Sequence, residues 1–257
     1  MSQMLRIFCA ALLLVYSLIG LSAEKIVIAA DRWCPFNCEA NAPLPGFMIE
    51  VATDVFEEKG IEVQYIEMNW SRAIQEAKKG HINAVVGAFK GDVPGFVLPE
   101  QELAILGNTF FVHKDSNWQY QGVESLQGHQ LAAISGYDYG DELRDYIQNN
   151  SSDSVTMLGS EQPLHRGIQM LSLKRIDMLV EAEPVFWYTA NLLNKADHFK
   201  VAGSAKEFEK SYIAFSPVIG ESQEYAQILS DGIERLRKSG QLQEILSKYG
   251  MTDWREE

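Results

Sequence analysis

Two cysteines lie four residues apart in the segment DRWCPFNC, which runs from Asp31 to Cys38. Thiols at such short spacing can form a disulfide, a redox pair or part of a metal site. A redox pair normally needs C-x-x-C spacing, and the next histidine, His81, is far along the chain, which disfavours a metal site. The sequence therefore favours a disulfide between Cys34 and Cys38, provided that the chain reaches an oxidising compartment.

Residues 1–23 have the composition of an export signal. A short segment containing Arg6 precedes an apolar run over residues 7–23 that ends in small side chains. A transmembrane anchor is the alternative, but the run is at the lower limit for a bilayer span. We expect cleavage after Ala23, which removes Cys9 and leaves an even number of cysteines in a soluble periplasmic protein. Loss of Arg6 then takes the formal net charge from −13 to −14.

Composition and motifs exclude several classes of function. An acidic chain without a basic cluster is unsuited to nucleic acid or to anionic membrane surfaces. Hydrophobic residues make up 46% of the chain, as in an ordinary globular protein. The sequence contains no G-x-S-x-G, no P-loop, no dinucleotide G-x-G-x-x-G and no H-E-x-x-H. It therefore predicts no catalytic residue, no cofactor and no metal ion.

The hydrophobic periodicity predicts an α/β fold. Short apolar strands are expected at residues 25–30, 61–68 and 82–89, with amphipathic helices at 46–60 and 69–80 between them. This β-α-β-α-β order implies a parallel sheet with right-handed crossovers.

The same pattern then restarts. It predicts strands at residues 105–115, 154–160, 198–203 and 210–217, and a strand followed by a helix at 129–148 and at 176–193. It also predicts a helix at 163–175 and a long helical segment at 222–250 that is broken at Gly240. Two such modules predict two lobes with a ligand cleft between them.

The side chains that follow the predicted strands are the candidate ligand contacts, because ligands bind at the carboxyl ends of strands in α/β proteins. They are Trp33, Trp70, Phe89, Lys90, Ser135, Tyr137, Tyr139 and Glu183. For most of them a structural role is the alternative. The two Trp side chains are equally suited to the core, Lys90 to solvent, and Glu183 to the N-terminus of a helix.

Several segments in a fixed order resemble a known family. They are GFMIEVATDVFEEKG, WSRAIQEAKKGHINAVVG, FFVHKD, LAAISGYDYG, LKRIDMLVE and IERLRKSGQLQEILSKYG. In this order they are similar to a family 3 extracellular solute-binding protein, the periplasmic receptor of an ABC importer. The resemblance covers nearly the whole mature chain.

The resemblance implies a type II periplasmic-binding-protein fold, with lobe 1 formed by residues 24–112 and 215–257 and lobe 2 by residues 113–214. Two crossing hinge strands would join the lobes, near Phe110–Lys114 and Tyr212–Ser216. It also implies a monomer that closes on a small polar solute and delivers it to a membrane permease.

The chain departs from the family at both halves of the amino-acid clamp. Many members carry T-x-T-x-x-R after the third strand, and its Arg binds the ligand carboxylate through two hydrogen bonds. Here no Thr follows Gly87, and Pro94 lies near the expected position of the Arg. Ala182 occupies the position of the Asp that binds the ammonium group. We therefore expect a ligand other than a common α-amino acid.

Two other functions fit the same fold, because a fold does not fix a function. One is a periplasmic enzyme of the dehydratase type, and the other is a soluble sensory protein that presents its ligand to a membrane receptor. Turnover of a bound solute would distinguish the enzyme from the receptor.

Overall fold

The computed structural model describes residues 24–150, 153–159 and 162–255. The predicted signal, residues 1–23, lies outside the described residues. The helices are α1 Phe47–Glu57, α2 Trp70–Lys78, α3 Asp141–Asn150, α4 Pro163–Ser172, α5 Glu183–Leu192, α6 Ser222–Ser239 and α7 Gln241–Ser247. The strands are β1 Glu24–Ala30, β2 Ile61–Glu67, β3 Ala84–Phe89, β4 Ala104–His113, β5 Leu131–Ile134, β6 Val155–Leu158, β7 Met178–Ala182 and β8 Phe199–Phe215. Within these residues, no helix combines the length and apolar character needed to cross a membrane.

All eight strands form one continuous sheet in the order β2-β1-β3-β8-β4-β7-β5-β6. Strands β1, β2 and β3 are mutually parallel, as the β-α-β-α-β order predicts. Strands β5, β6 and β7 form a second parallel set. The antiparallel strands β4 and β8 lie between the two sets, so the molecule has two βαβ lobes joined by a pair of long strands.

The strand pairing shows where the chain passes from one lobe to the other. Ser211–Phe215 of β8 pairs with β3, while Asn108–Val112 of β4 pairs with β7. Between these segments, Ala104–Gly107 of β4 pairs with Phe208–Ser211 of β8. The boundaries between the lobes at residues 112/113 and 214/215 stay a prediction.

Strand β8 differs from the sequence expectation. Two separate strands are predicted at residues 198–203 and 210–217, whereas the structure has one strand of 17 residues. The intervening residues carry several charges and little hydrophobic periodicity. Ser204, Phe208 and Glu209 in this stretch pair with β4, and a sequence pattern does not reveal such long-range pairing.

The first lobe is completed by the C-terminal helices. The predicted apolar face of α1, formed by Phe47, Val51, Val55 and Phe56, is fully or almost fully buried. Gly232 of α6 lies so close to Val55 that an added Cβ would be 2.4 Å from a methyl group of that side chain. This close packing of α6 on α1 ties the end of the chain to the lobe in which it begins.

A loop between β1 and α1 contains the predicted disulfide, and the structure confirms the pairing of Cys34 with Cys38. The Trp33 N–H donates to the carbonyl of Asn37 at 2.8 Å, and the Phe36 N–H donates to the carbonyl of Trp33 at 2.9 Å. Residues 33–37 therefore form a tight turn that the disulfide closes.

We expect the exported protein to carry this disulfide, and the double substitution Cys34→Ser, Cys38→Ser to lower the free energy of unfolding by about 2 kcal/mol. This is the chain-entropy estimate for closing so small a loop. Urea unfolding of both forms measures the loss, and mass spectrometry of non-reduced peptides tests the bond. Two free thiols in protein isolated from the periplasm would contradict the expectation.

Candidate functional site

Four of the predicted ligand contacts meet between the two lobes. Trp33, Trp70 and Phe89 come from the first lobe, and Tyr137 comes from the loop after β5 in the second. The rings of Trp70 and Tyr137 meet edge to face, with their centroids 6.5 Å apart, and Trp33 meets Phe89 in the same way at 6.0 Å. Edge-to-face packing is a favourable geometry for aromatic pairs, so the four rings form a preorganised apolar wall.

The disulfide loop fixes the position of Trp33. Its indole stacks on the fully buried ring of Phe36 at 4.6 Å. Asn37 in the same loop donates from Nδ2 to the carbonyl oxygen of Asp31 at 2.6 Å and to the hydroxyl of Tyr65 at 3.1 Å. Both amide hydrogens are thereby used, which fixes the orientation of the amide.

Two buried carboxyl groups lie against these rings, one from each lobe. Asp31 follows β1 and accepts a hydrogen bond from the Tyr137 hydroxyl at 3.0 Å. Glu181 in β7 accepts from the Trp33 indole N–H at 3.0 Å and from its neighbour's backbone N–H, that of Ala182, at 2.8 Å. Their exposures are only 8% for Asp31 and 3% for Glu181, and two of these bonds join one lobe to the other.

Burial disfavours the charged form of both groups. It raises the pKa of Asp31 to about 6, against the opposing effect of the Tyr137 hydrogen bond. It raises the pKa of Glu181 to about 7, with a further small rise from the charge of Asp31. Both carboxyl groups therefore titrate close to neutral pH.

A third carboxyl group, Asp92, lies at the turn after β3 and is half-buried. It accepts hydrogen bonds from the backbone N–H of Phe89 at 2.9 Å and, across the cleft, from that of Asp138 at 2.8 Å. Burial raises the pKa of Asp92 to about 7, although both hydrogen bonds favour its charged form. Asp138 itself is paired with Arg144, whose Nη2 donates to it at 2.6 Å.

Three buried polar atoms in this region have no hydrogen-bond partner among the described residues. They are Glu181 Oε2, Asn37 Oδ1 and Trp70 Nε1. An unsatisfied buried polar group costs about 1–3 kcal/mol, so such atoms are usually matched in the functional state of a protein. Two acceptors and one donor are thus positioned for a bound molecule.

The space between the lobes is almost closed. One cavity has a volume of about 20 Å³ for the centre of a water molecule. It is lined by Asp31, Trp33, Asn37, Trp70, Asp92, Tyr137 and residues of β3. A second of the same size lies behind Trp33 and is lined by Tyr139 and Glu181. Each has room for about one water molecule, so a larger ligand requires the lobes to separate.

The remaining sequence-predicted residues are dispersed. Tyr139 is buried, and its hydroxyl accepts from the backbone N–H of Ile134 at 2.6 Å. Ser135 is half-buried at the end of β5, beside Gly159. Lys90 is exposed after β3, and Glu183 is exposed at the start of α5, where it accepts from the Trp187 indole at 3.2 Å. Neither Lys90 nor Glu183 lines the two cavities, and their role in binding stays a prediction.

Sequence reasoning did not select Asp31, Asn37, Glu181 and Asp92 as ligand contacts. Asp31 directly follows β1 and Asp92 lies in the turn after β3, and a polar residue at the carboxyl end of a parallel strand was an available signal. Glu181 lies inside an apolar strand, where a lone carboxylate is a second signal. Neither signal shows that these groups meet.

The arrangement can enclose a polar molecule between the two lobes. Among the described residues, no group of three or more His, Cys, Asp or Glu side chains could hold a metal ion. Asp31 and Glu181 accept their hydrogen bonds from Tyr137 and Trp33, which also form the aromatic wall. The carboxyl groups, rings and unpaired polar atoms can together surround a small polar molecule.

Comparison with known proteins agrees with this interpretation. Residues 26–252 match the model of bacterial extracellular solute-binding proteins, family 3. A probable histidine-binding protein of Campylobacter jejuni is 18% identical over 224 residues, covering 86% of this chain and 82% of its own length.

Two solved structures share the fold. One is an ABC uptake transporter substrate-binding protein from Streptococcus pneumoniae with bound histidine, with a TM-score of 0.72 and 20% identity, covering 89% of this chain and 93% of its own. The other is a histidine kinase sensor domain with similarity to periplasmic binding proteins. Its TM-score is 0.70 at 19% identity, and the match covers 88% of this chain and 95% of the sensor domain. The family match spans both lobes and the strands that join them, and the chain belongs to the bacterial extracellular solute-binding proteins, family 3.

Proposed function

We propose that this protein is the periplasmic receptor of an ABC importer, which closes its two lobes on a small polar solute other than a common α-amino acid. The observation that carries the proposal is that both lobes contribute side chains to one buried site. Asp31, Trp33 and Trp70 face Tyr137 and Glu181 across the cleft. A site divided in this way is complete only when the lobes are together.

The closed cleft also suggests how a ligand would enter. Among the described residues that line the cleft cavities, hydrogen bonds cross the cleft from Trp33 to Glu181, from Tyr137 to Asp31 and from the Asp138 N–H to Asp92. Opening breaks them, and a ligand that offers equivalent bonds restores the closed state. The ligand therefore stabilises closure by its differential affinity for the two states.

The lining residues support a ligand outside the common amino acids. The related proteins include one named as histidine-binding and one solved with histidine bound. In this chain the position expected for the carboxylate-binding Arg lies near Pro94, which is exposed. No lysine, arginine or histidine in the described part of the chain lines either of the two cleft cavities. A buried carboxylate without a cationic partner costs several kcal/mol, so a ligand α-carboxylate is disfavoured here.

A thermal-shift screen of amino acids, small peptides, organic acids and amines tests the proposal, with small-angle scattering on each solute that binds. We expect at least one solute to raise the melting temperature. At a hundredfold excess over Kd, binding adds about 2.7 kcal/mol to the free energy of unfolding. The same solute should make the protein more compact, with no change in its monomeric mass. A protein that no solute stabilises or compacts would contradict the receptor assignment, and turnover of a bound solute would favour the enzyme instead.

A further inference from the structure

The residues around the cleft cavities carry charge of one sign. The two cavities are lined by five carboxyl groups, which belong to Asp31, Asp92, Asp138, Glu181 and Glu209. Asp138 is paired with Arg144, and the carboxyl groups that favour a cation are those of Asp31, Asp92 and Glu181. Because the described lining residues of both cavities include no basic side chain, the electrostatic field inside the cleft favours a cation.

Two acceptor atoms in the cleft have fixed directions. The Asn37 amide donates both hydrogens within the protein, so its Oδ1 must face the site. Glu181 Oε1 is held by the indole of Trp33 and by a backbone N–H, which leaves Oε2 as the unpaired oxygen. Both residues are at most 3% exposed, so solvent does not satisfy these atoms. The bound molecule must supply N–H or O–H donors to each of them.

The walls of the site also suit a positive charge. Trp33, Trp70, Phe89 and Tyr137 line the same cavity as Asp31. A cation near the faces of such rings is attracted by their negative potential, and the attraction grows when water is excluded. Gly87 lies beside these groups, and a Cβ there would be 3.2 Å from the indole of Trp33 and 3.3 Å from Asn37 Oδ1. The absence of a side chain at this position leaves the acceptor accessible.

We infer that the ligand is an organic cation with at least two N–H donors and no carboxylate, bound between Asp31 and Glu181 against the aromatic wall, and that the unpaired Trp70 Nε1 donates to water beside the ligand. This inference rests on the proposed receptor function and specifies its ligand class. A zwitterion is the competing ligand. The neighbouring groove that also contains Asp31 is lined by two arginines, and Arg32 is already paired with Glu39 and Glu67. The carboxylate of a zwitterion would therefore have to reach the exposed Arg72.

Calorimetry at pH 8 with matched pairs of amines and amino acids tests the inference. The pairs are agmatine with arginine, histamine with histidine, and cadaverine with lysine, and pentane-1,5-diol serves as the neutral counterpart of cadaverine. We expect at least one amine to bind, and to bind at least tenfold tighter than its parent amino acid, a difference of about 1.4 kcal/mol. The diol should bind at least tenfold more weakly than cadaverine wherever cadaverine binds.

Isosteric variants locate the charge that the amine contacts. Asp31→Asn and Glu181→Gln should each weaken amine binding at least tenfold, since each removes a charge and keeps the shape of the side chain. Glu62→Gln is the matched control, because Glu62 is exposed on the edge strand β2, and it should leave amine affinity unchanged. Arg72→Gln should also leave amine affinity unchanged, whereas it would abolish binding of a zwitterion held through Arg72.

The inference is overturned if a parent amino acid binds as tightly as its amine, if the diol matches cadaverine, or if none of the three amines binds at millimolar concentration. These results differ from a failure of the receptor assignment. Closure of the lobes on a neutral or anionic solute would refute the cationic ligand and keep the receptor. Absence of closure with every solute would refute the receptor as well.

Discussion

Replacing Gly46 by alanine is expected to lower the free energy of unfolding by about 3 kcal/mol or more, because strain and a backbone clash act together. Gly46 precedes α1 with a φ of 106°, a conformation that L-residues rarely adopt. A Cβ built there would lie 2.4 Å from both the Asn37 Cα and the Phe36 carbonyl oxygen. Neither atom belongs to a flexible side chain, so the disulfide loop would have to move.

The same displacement should impair ligand binding. The Met48 N–H donates to the Phe36 carbonyl at 3.0 Å, and the Phe47 N–H donates to the Pro35 carbonyl at 3.1 Å. These bonds hold the loop that positions Trp33 and Asn37. We therefore expect any solute found in the screen to bind Gly46→Ala at least tenfold more weakly.

Gly60→Ala is the matched control for this substitution. Gly60 also has a positive φ, of 75°, but nothing lies within 4 Å of its added Cβ. Only the backbone strain applies there, which costs about 1–2 kcal/mol. Urea unfolding of both variants, compared at a common m-value, measures the difference. Equal stability of the two variants would show that the contact between Gly46 and the loop has no energetic weight.

The protein without ligand is expected to be more stable at pH 5 than at pH 8. Asp31 and Glu181 have folded-state pKa values of about 6 and about 7, above their ordinary values of 3.8 and 4.5. The folded state therefore binds more protons than the unfolded state between about pH 4 and pH 7. The stability from these two groups is fully present below their unfolded pKa values and is lost as the pH rises through their folded pKa values.

Between pH 5 and pH 8 the free energy of unfolding falls by an amount equivalent to about one pKa unit for Asp31 and about two for Glu181. Each unit corresponds to about 1.4 kcal/mol. Because the two groups interact, we expect roughly 3 kcal/mol in total rather than the full sum. Asp92, with its raised pKa, acts in the same direction. His113 and His165 act in the opposite direction, because burial lowers the pKa of each.

The double variant Asp31→Asn, Glu181→Gln isolates the effect, since it keeps the histidines and Asp92. Thermal unfolding of both proteins at pH 5 and pH 8 measures it. The wild type should lose more stability than the double variant over this range, and parallel curves would contradict the assignment. Three tyrosines near Asp31 and Glu181 do not contribute to the effect between pH 5 and pH 8. They are Tyr65, Tyr137 and Tyr139, and burial raises the pKa of each above 10.

Much of the architecture was predictable because it depends on local pattern. The apolar spacing of α1, the cap at Asn69, which accepts the Arg72 N–H at 3.4 Å, and the end of α6 at Gly240 are all as the sequence predicts. Hydrophobic periodicity and end signals act over a few residues, so they are visible in one chain. The disulfide belongs to the same class, because its partners are four residues apart.

The aromatic part of the site was also predictable in part. The positions after β1, β3 and β5 identified Trp33, Phe89 and Tyr137 as candidates, because parallel strands present their carboxyl ends at one edge. The geometry among these rings was not predictable. Trp33 and Glu181 are separated by 148 residues and Asp31 and Tyr137 by 106, and both pairs meet across the cleft between the lobes.

Glu181 and Glu183 show what the tertiary structure alone decided. In a continuous strand both side chains would point to the same face of the sheet. Strand β7 instead ends at Ala182, and Glu183 begins α5 ahead of Pro184. The change from strand to helix leaves Glu183 in solvent, whereas Glu181 is enclosed between the lobes. Sequence determined that carboxylates lie at this junction, but the packing of two lobes around Glu181 determined which one is desolvated and available to a ligand.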